Sequence, residues 1–348
     1  MTHGRSPSRA GAAVLDREAW RPAGSQAGTE PAWLTSHPNP IPSSPRAVDI
    51  LVIGAGAAGI SAAAVMERAG LRGYADGIRP AGSYLVLDAE VRPGGSFQHL
   101  WRGLTVGRAR AWSDEELPGA DDEPVALALP RHLTDIEEVL DLPVLRPVFV
   151  DEVHRGSGGG FIVTTTSGTW HASGIINATG RWTRPFLPSH HGTFSGRELH
   201  TQEYTGPADF SRRRCAVIGG GAAACEHVDE ISRVAKQVRW YAAQPASPRV
   251  AQVMEELAAR KNVRLAPAPA GLTRDGIEEA DGTLRKVDAI IWATGFRPEL
   301  RHLAPLKIRK KKPLNRLYII GRQPRGLGKA VSAAEEAARC LMADLALV

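Results

Sequence analysis

Two segments of the chain carry the same device, 165 residues apart when measured from Gly54 to Gly219. The first is an apolar run, Asp49-Ile50-Leu51-Val52-Ile53. It enters Gly54-Ala55-Gly56-Ala57-Ala58-Gly59 and continues into the alanine-rich stretch Ser61–Arg68. The second is Cys215-Ala216-Val217-Ile218, entering Gly219-Gly220-Gly221-Ala222-Ala223-Ala224 and then a helical stretch through Glu226–Val234. Each reads as buried strand, tight turn, helix. Gly54 permits the turn, Gly56 lets backbone approach a pyrophosphate, and Gly59 lets helix and strand pack closely. Gly219, Gly221 and Ala224 stand at the same three steps. At both places the helix start offers unpaired N–H groups and the positive end of its dipole to a phosphate. The pairing predicts an α/β chain with two Rossmann-like dinucleotide-binding domains, which means two dinucleotides or one domain duplicated.

The strand after each device separates the two. In the first unit it is Tyr84-Leu85-Val86-Leu87-Asp88, and the Asp88 carboxylate is placed to accept ribose hydroxyls. Asp88 lies 34 residues beyond Gly54, the insert YADGIRPAGS absorbing the extra length. Gly94-Gly95-Ser96-Phe97 follows, a second place where backbone can meet a ligand. Gln98, His99 and Trp101 then add polar and aromatic reach. In the second unit Gln237–Tyr241 ends in Ala242-Ala243-Gln244, with no acid. That absence leans towards NADP over NAD. No basic residue stands there before Arg249, so the choice stays open. Two later strands end alike, Ile175-Ile176-Asn177-Ala178-Thr179-Gly180 and Ile290-Ile291-Trp292-Ala293-Thr294-Gly295. Their small residues permit close approach to a cofactor, and Gly321 ends one more apolar run.

The remainder of the chain bounds the class. With 348 residues, 43% of them hydrophobic, the chain can bury a large core, and two domains are expected. Residues 1–46, rich in Ser, Pro, Gly and Ala, read as a flexible arm without the apolar core of a secretion signal. Residues 113–128 read as an acidic, proline-bearing loop and Leu133–Leu140 as a short helix. The segments from Val144 to Trp170 read as an antiparallel excursion, and Ala330–Leu345 as a closing helix. The net charge of +6 suits phosphate ligands, but no nucleic-acid module appears. The run Lys307-Ile308-Arg309-Lys310-Lys311-Lys312 reads as a solvated loop. Three cysteines, Cys215, Cys225 and Cys340, exclude a disulfide scaffold and fit a reducing, cytoplasmic setting, and with no CxxC among them no dithiol redox centre is expected. No membrane span and no metal site are expected.

The arrangement resembles the two-dinucleotide-binding flavoproteins of the pyridine nucleotide-disulfide oxidoreductase-like superfamily, specifically their flavin-containing monooxygenase-like branch. Gly54, Gly56, Gly59 and Asp88 match the FAD fingerprint. Gly94, Gly95 and Ser96 match the Gly-Gly-Ser-Trp element, with Phe97 in place of Trp. Gly219, Gly221 and Ala224 match the nicotinamide-cofactor fingerprint. Phe194-Ser195-Gly196-Arg197-Glu198-Leu199-His200-Thr201-Gln202-Glu203-Tyr204 fits the branch signature F-x-G-x-x-x-H-x-x-x-Y, and Ala293-Thr294-Gly295-Phe296 resembles its late Ala/Thr-Gly-Tyr element, with Phe296 in place of Tyr.

The resemblance implies a discontinuous FAD domain (47–180 and 296–348), a linker carrying the signature (181–210) and an inserted NAD(P) domain (211–295). It implies FAD and NADP (or NAD), hydride transfer to the flavin, O2 activation there, and transfer of oxygen to a small molecule. The expected partners are that substrate, O2 and a second copy of the chain. His200, Gln98 and His99 are the candidate catalytic residues, with a structural role for His200 the alternative. Departures from the branch are the short 245–286 segment, Gln244, where an arginine is usual, and Ile319-Ile320-Gly321-Arg322, which lacks the acid seen in many relatives. They keep open a reductase or dehydrogenase without oxygen insertion, and a non-catalytic FAD-binding sensor.

Overall fold

The computed structural model describes residues 46–74, 82–112, 116–308, 314–321 and 326–348. All of the expected arm (residues 1–46) but Arg46, and most of the basic run at 307–312, lie outside them. In chain order the first unit runs β1 (Ala47–Ile53), α1 (Ala57–Arg68), β2 (Arg72–Gly73), β3 (Ser83–Leu87), α2 (Val106–Trp112), α3 (Val125–Val139), β4 (Val144–Leu145), β5 (Val150–Arg155), β6 (Phe161–Thr165) and β7 (Gly168–Asn177). The second runs β8 (Arg197–His200), β9 (Arg214–Ile218), α4 (Ala222–Ser232), β10 (Gln237–Tyr241), α5 (Pro248–Ala258), β11 (Val263–Ala266), β12 (Gly271–Thr273), β13 (Gly276–Glu278), β14 (Leu284–Lys286) and β15 (Ala289–Trp292). The chain then returns to the first unit with β16 (Leu317–Ile319) and α6 (Leu327–Asp344).

Both units are Rossmann-like α/β sheets. The first has strand order β2-β3-β1-β7-β6-β5, with β4 on β3 and β16 on β7. Strand β1 is buried on both faces, as a central parallel strand requires. It lies between β3, where Leu51 is opposite Leu85, and β7, where Leu51 is opposite Ile175. The chain leaves β1 towards β3 and later returns on the other side through β7. The crevice between the carboxyl ends of β1 and β7 is therefore the topological switch point, where ligands bind in such sheets. Helices α1 and α6 cover one face, and Ile60, Ala63, Ala334, Ala338 and Leu341 share that core with Ile50 and Val52. The second sheet, β11-β10-β9-β15-β8, is parallel throughout, with a small antiparallel sheet β12-β13-β14 beside it. Among the described residues no helix is long and apolar enough to cross a membrane.

Local structure departs from the sequence expectation in three places. Helix α3 begins at Val125 and runs through Pro130, instead of starting at Leu133. Val125, Ala128, Leu129 and Leu133 are buried at helical spacing, and that burial outweighs the backbone hydrogen bond lost at the proline. Strand β7 is one continuous ten-residue strand. Its first half pairs antiparallel with β6, and its second half pairs parallel with β16. The segment read as a linker contributes β8, which pairs with β15 from Ala289↔Arg197 to Trp292↔His200 and so belongs to the second sheet.

Candidate functional site

The first glycine turn is shaped by close packing at two of its glycines and by openness at the third. Gly54 has φ +101°, and a Cβ there would fall 2.6 Å from the Ala178 carbonyl oxygen. A Cβ on Gly59 would fall 1.8 Å from Gly54 O, so α1 presses on the turn as closely as backbone allows. Gly56 caps α1 with ordinary extended backbone, φ −74°, and no side chain caps the helix. A Cβ on Gly56 would meet only Gly95 Cα, at 4.0 Å. Neither its own dihedrals nor the protein around it therefore requires glycine at this step, and the space above the helix start stays open. Gly95 (φ +53°) faces it, and Gly94 (φ +113°) packs on Pro130 of α3. The two glycine elements of the first unit therefore lie against each other, with Ser96 exposed beside them.

The second turn repeats this plan. A Cβ on Gly219 (φ +151°) would fall 2.1 Å from Ala293 O. Gly221 caps α4, again with no side-chain cap, and nothing lies within 4 Å of where its Cβ would be. Ala224 is fully buried at the third step. The loop after β10 folds over Gly220, where a Cβ would meet Gln244 O at 2.2 Å, and residues 243–246 are exposed. Arg249 is directed away: its Nε donates to Ala111 O at 2.7 Å.

The two Ala-Thr-Gly turns join the units. Gly180 (φ +66°), Gly295 (φ +76°) and Gly321 (φ +74°) have left-handed backbone with no atom in the Cβ direction. The Thr179 hydroxyl donates to Glu299 O at 2.7 Å, and the Thr294 hydroxyl donates to Phe186 O. Each threonine is thus spent on the opposite crossover. The crossovers also pair through backbone: Phe186 N to Gly295 O at 2.9 Å, Arg297 N to Arg184 O at 2.8 Å, and Glu299 N to Gly180 O at 3.0 Å.

Asp88 ends β3 as expected and is buried. One carboxylate oxygen accepts from Arg146 Nε at 3.2 Å, and Glu137 grips the rest of that guanidinium at 2.7 and 2.5 Å. Burial pushes the Asp88 carboxyl above the usual range, opposed by Arg146 and by backbone N–H bonds from Ala55 and Glu90. Arg146 and Glu137 were missed in the sequence. The signal was the Arg-Pro pair directly after Val144-Leu145, once that dipeptide is known to pair with β3.

Of the three candidate catalytic residues, His200 is buried and both its ring nitrogens are engaged. Nδ1 accepts from Gln202 N at 3.2 Å and Nε2 donates to Gly295 O at 3.0 Å. Burial lowers its pKa, so the ring is neutral at pH 7. His99 Nε2 meets Glu90 at 2.9 Å, and Gln98 donates to Gly95 O at 3.1 Å, closing its own loop. His99, Trp182, Phe296 and His200 form a ring series with successive centroids 5.9, 5.1 and 4.9 Å apart, crossing both connections. Beside it Arg181, also missed in the sequence, follows Gly180. Its guanidinium donates to Phe296 O, while its Nε is buried without a hydrogen-bond partner among the described residues. No described carboxylate pairs with it, and burial lowers its pKa. A guanidinium with one unpartnered N–H and no acid beside it is suited to an anion. With the open cap glycines Gly56 and Gly221, it makes these residues fit phosphate-bearing dinucleotides.

The family model described as pyridine nucleotide-disulphide oxidoreductase matches residues 101–318. A flavin-containing monooxygenase from Stenotrophomonas maltophilia superposes with a TM-score of 0.69 at 29% identity, covering 85% of this chain and 98% of that one. An uncharacterized CzcO-like oxidoreductase of Geobacillus kaustophilus is 21% identical over 294 residues, 72% of this chain and 80% of its own length. Lactococcus lactis thioredoxin reductase shares the fold, with a TM-score of 0.63 at 18% identity over 86% of this chain and 100% of that one.

Proposed function

Because the chain belongs to the pyridine nucleotide-disulphide oxidoreductase family and is closely related to the flavin monooxygenases, we propose that it is an FAD-dependent, NAD(P)H-using monooxygenase of a small molecule. The observation that carries this reading is the pair of uncapped helices, α1 and α4, each opened by a glycine with free space above it. In this reading Gly54, Gly56, Gly59, Asp88, Gly94, Gly95, Ser96, Thr179, Gly180 and Gly321 serve FAD. Gly219, Gly221, Ala224, Thr294 and Gly295 serve the nicotinamide nucleotide. Bound FAD supplies a two-electron carrier that also reacts with O2.

The chain's own residues bind and orient. The helix N-termini meet phosphate charge, and Asp88 keeps a lone pair for a ribose hydroxyl beyond those taken by Arg146 and the Ala55 and Glu90 N–H groups. Arg181 places positive charge beside the crossovers. The ring series from His99 to Phe296 keeps water from that junction. His200 acts as a positioning residue: its neutral ring holds the Gly295 turn, and it has no free nitrogen with which to move a proton.

Oxygen insertion is favoured over thiol–disulfide chemistry by the cysteines. Cys215 and Cys225 are buried and their thiols are pushed up to about 12. With no CxxC, the chain has no dithiol to relay electrons. A reductase without oxygen insertion is the second reading. It is favoured by the short stretch between Gln244 and Val287, which holds only α5, β11 and the small sheet β12–β14. Mixing the NADPH-reduced protein with O2 in a rapid-scan spectrometer separates the two. A transient absorbing to the blue of oxidised flavin, consumed by an added amine, sulfide or ketone, is expected. Direct return to oxidised FAD with stoichiometric peroxide across that panel would leave the reductase.

A further inference from the structure

The paired crossovers alone leave the second unit free to turn about the line they define. A third attachment lies away from that line. Trp101, on the loop before α2 in the first unit, packs against the hydrophobic core of the second. Its ring fills the space that a Cβ on Gly103 or Gly206 would need, and it meets Tyr204 edge-on with centroids 6.2 Å apart. Its Nε1 donates to Glu230 of α4 at 3.3 Å. Arg108 of α2 donates to the same carboxylate at 2.6 Å and to the neighbouring Asp229 at 3.0 Å. Tyr204, the last residue of the F-x-G-x-x-x-H-x-x-x-Y signature, completes Glu230 from its hydroxyl at 2.8 Å. Three segments thus converge on one carboxylate whose side chain is 9% exposed. Asp229 is also gripped by Arg233 and Arg260 of the second unit, so α4 is held from both sides.

We propose that Trp101, Arg108 and Glu230 form a bolt that fixes the second unit in one orientation on the first, and that Arg108 is a positioning residue for electron transfer between the two nucleotide sites. A buried carboxylate satisfied by donors from both units binds those units together, because separating them strands its charge. Two paired crossovers make a hinge, and contacts off the hinge line immobilise it; this cluster is the buried one, beside the exposed bond from Arg249 Nε of α5 to Ala111 O of α2. Since α4 also carries Gly221 at its N-terminus, its placement sets where a nucleotide on that helix faces the first unit. Only the electron-transfer half of the proposal rests on the oxidoreductase reading; the bolt does not.

The test uses the full chain with spin labels on Cys340 of α6 and on a cysteine introduced by Glu255→Cys in α5. Cys215 and Cys225 are buried and stay unlabelled. The wild-type background should give one narrow distance distribution. Arg108→Met and Glu230→Gln should broaden it, and Arg108→Lys should restore it. In anaerobic mixing, Arg108→Met should slow flavin reduction at saturating NADPH at least tenfold. FAD content and the half-saturating NADPH concentration should stay within twofold, a split that a loss of folded protein would not produce. Should Arg108→Met fail to fold, Trp101→Phe removes one hydrogen bond to the same carboxylate and carries the same distance measurement. A distribution as narrow in these variants as in the parent would overturn the bolt. Broadening without slower reduction would overturn the positioning role. A protein that takes up no FAD would remove the oxidoreductase reading, while the distances would still decide the bolt.

Discussion

At the first glycine turn, Gly59 lets α1 sit directly on the Gly54 carbonyl; at the second, the fully buried Ala224 stands at the same step. The first turn is walled on its far side by Gly95, and its strand-end acid is buried in a pair with Arg146. The second is bordered by the exposed loop 243–246 and has no acid. One local device thus occupies two different settings. The turn geometry follows from where the strand must give way to a helix, so it is the same in both. What surrounds the turn decides how enclosed a ligand becomes. The enclosed first site suits a nucleotide that stays, and the open second site suits one that exchanges.

The sharpest way to break this comparison is to fill each open cap. Gly56→Leu should leave the fold intact, because the backbone there is ordinary, yet abolish FAD uptake by occupying the approach to the helix N-terminus. Gly221→Leu should keep FAD and abolish bleaching by NADPH or NADH. Flavin absorbance after purification and anaerobic reduction read the two outcomes. A yellow Gly56→Leu protein, or a colourless Gly221→Leu protein, would reverse the assignment of the two sites.

The next effect concerns packing at the third step. Gly59→Ala places a methyl 1.8 Å from a backbone oxygen, so helix and strand must part, at a cost of about 3 kcal/mol. Ala224→Gly removes a methyl that fits and should cost about 1 kcal/mol from helix propensity. Urea unfolding of the two variants measures both. Equal losses would mean that the methyl does not distinguish the two helices.

Helix α4 differs from α1 in a further respect, a buried acidic face. Glu226 is pushed up to about 8 by burial and by Glu230, against the pull of Arg108. The native chain therefore keeps a proton that the unfolded chain releases near the usual glutamate range, about 4.3. Stability contributed by the protonated group is complete below that range and is lost as pH rises towards 8. Glu226→Gln should flatten that decline and leave the variant about 2 kcal/mol more stable than its parent at pH 8.5. Parallel unfolding curves for the two proteins from pH 5 to 8.5 would contradict it.

The two turns were legible because a strand entering G-x-G-x-x-G, or G-x-G-x-x-A in the second unit, constrains its backbone within about a dozen residues. Partners distant in sequence were not. Arg146 meets Asp88 from 58 residues away, and only the pairing of β4 with β3 brings them together. Strand β8 is short and shows no alternation in Arg197-Glu198-Leu199-His200; its neighbour β15 supplies the pairing that makes it a strand. Helix α3 was masked by Pro130, although Val125, Ala128, Leu129 and Leu133 already had helical spacing. His200 was readable as a residue of interest, but its ligands, Gln202 N and Gly295 O, belong to the fold and not to the sequence pattern.

Arg181 offers the smallest and most specific test, because it lies at the junction between the two sites. Most buried or half-buried arginines here answer an acid, as Arg146 answers Asp88 and Glu137, and Arg108 answers Asp229 and Glu230. Arg181 has a backbone carbonyl and a stranded Nε. If an anionic part of a bound dinucleotide completes it, Arg181→Gln loses a charge-assisted contact, roughly tenfold in affinity or about 1.4 kcal/mol. Folding stability of the ligand-free protein should be unchanged or slightly raised, since an unpaired, partly buried cation is removed. Titrating the variant with NADP and with FAD separately shows which site the guanidinium faces, since only that ligand should weaken. Rising salt should weaken that ligand in the wild-type protein more than in Arg181→Gln, as an ionic contact requires. If neither ligand weakens while the variant unfolds more easily, Arg181 is a structural brace between Gly180 and Phe296, and the anion belongs elsewhere in the crevice.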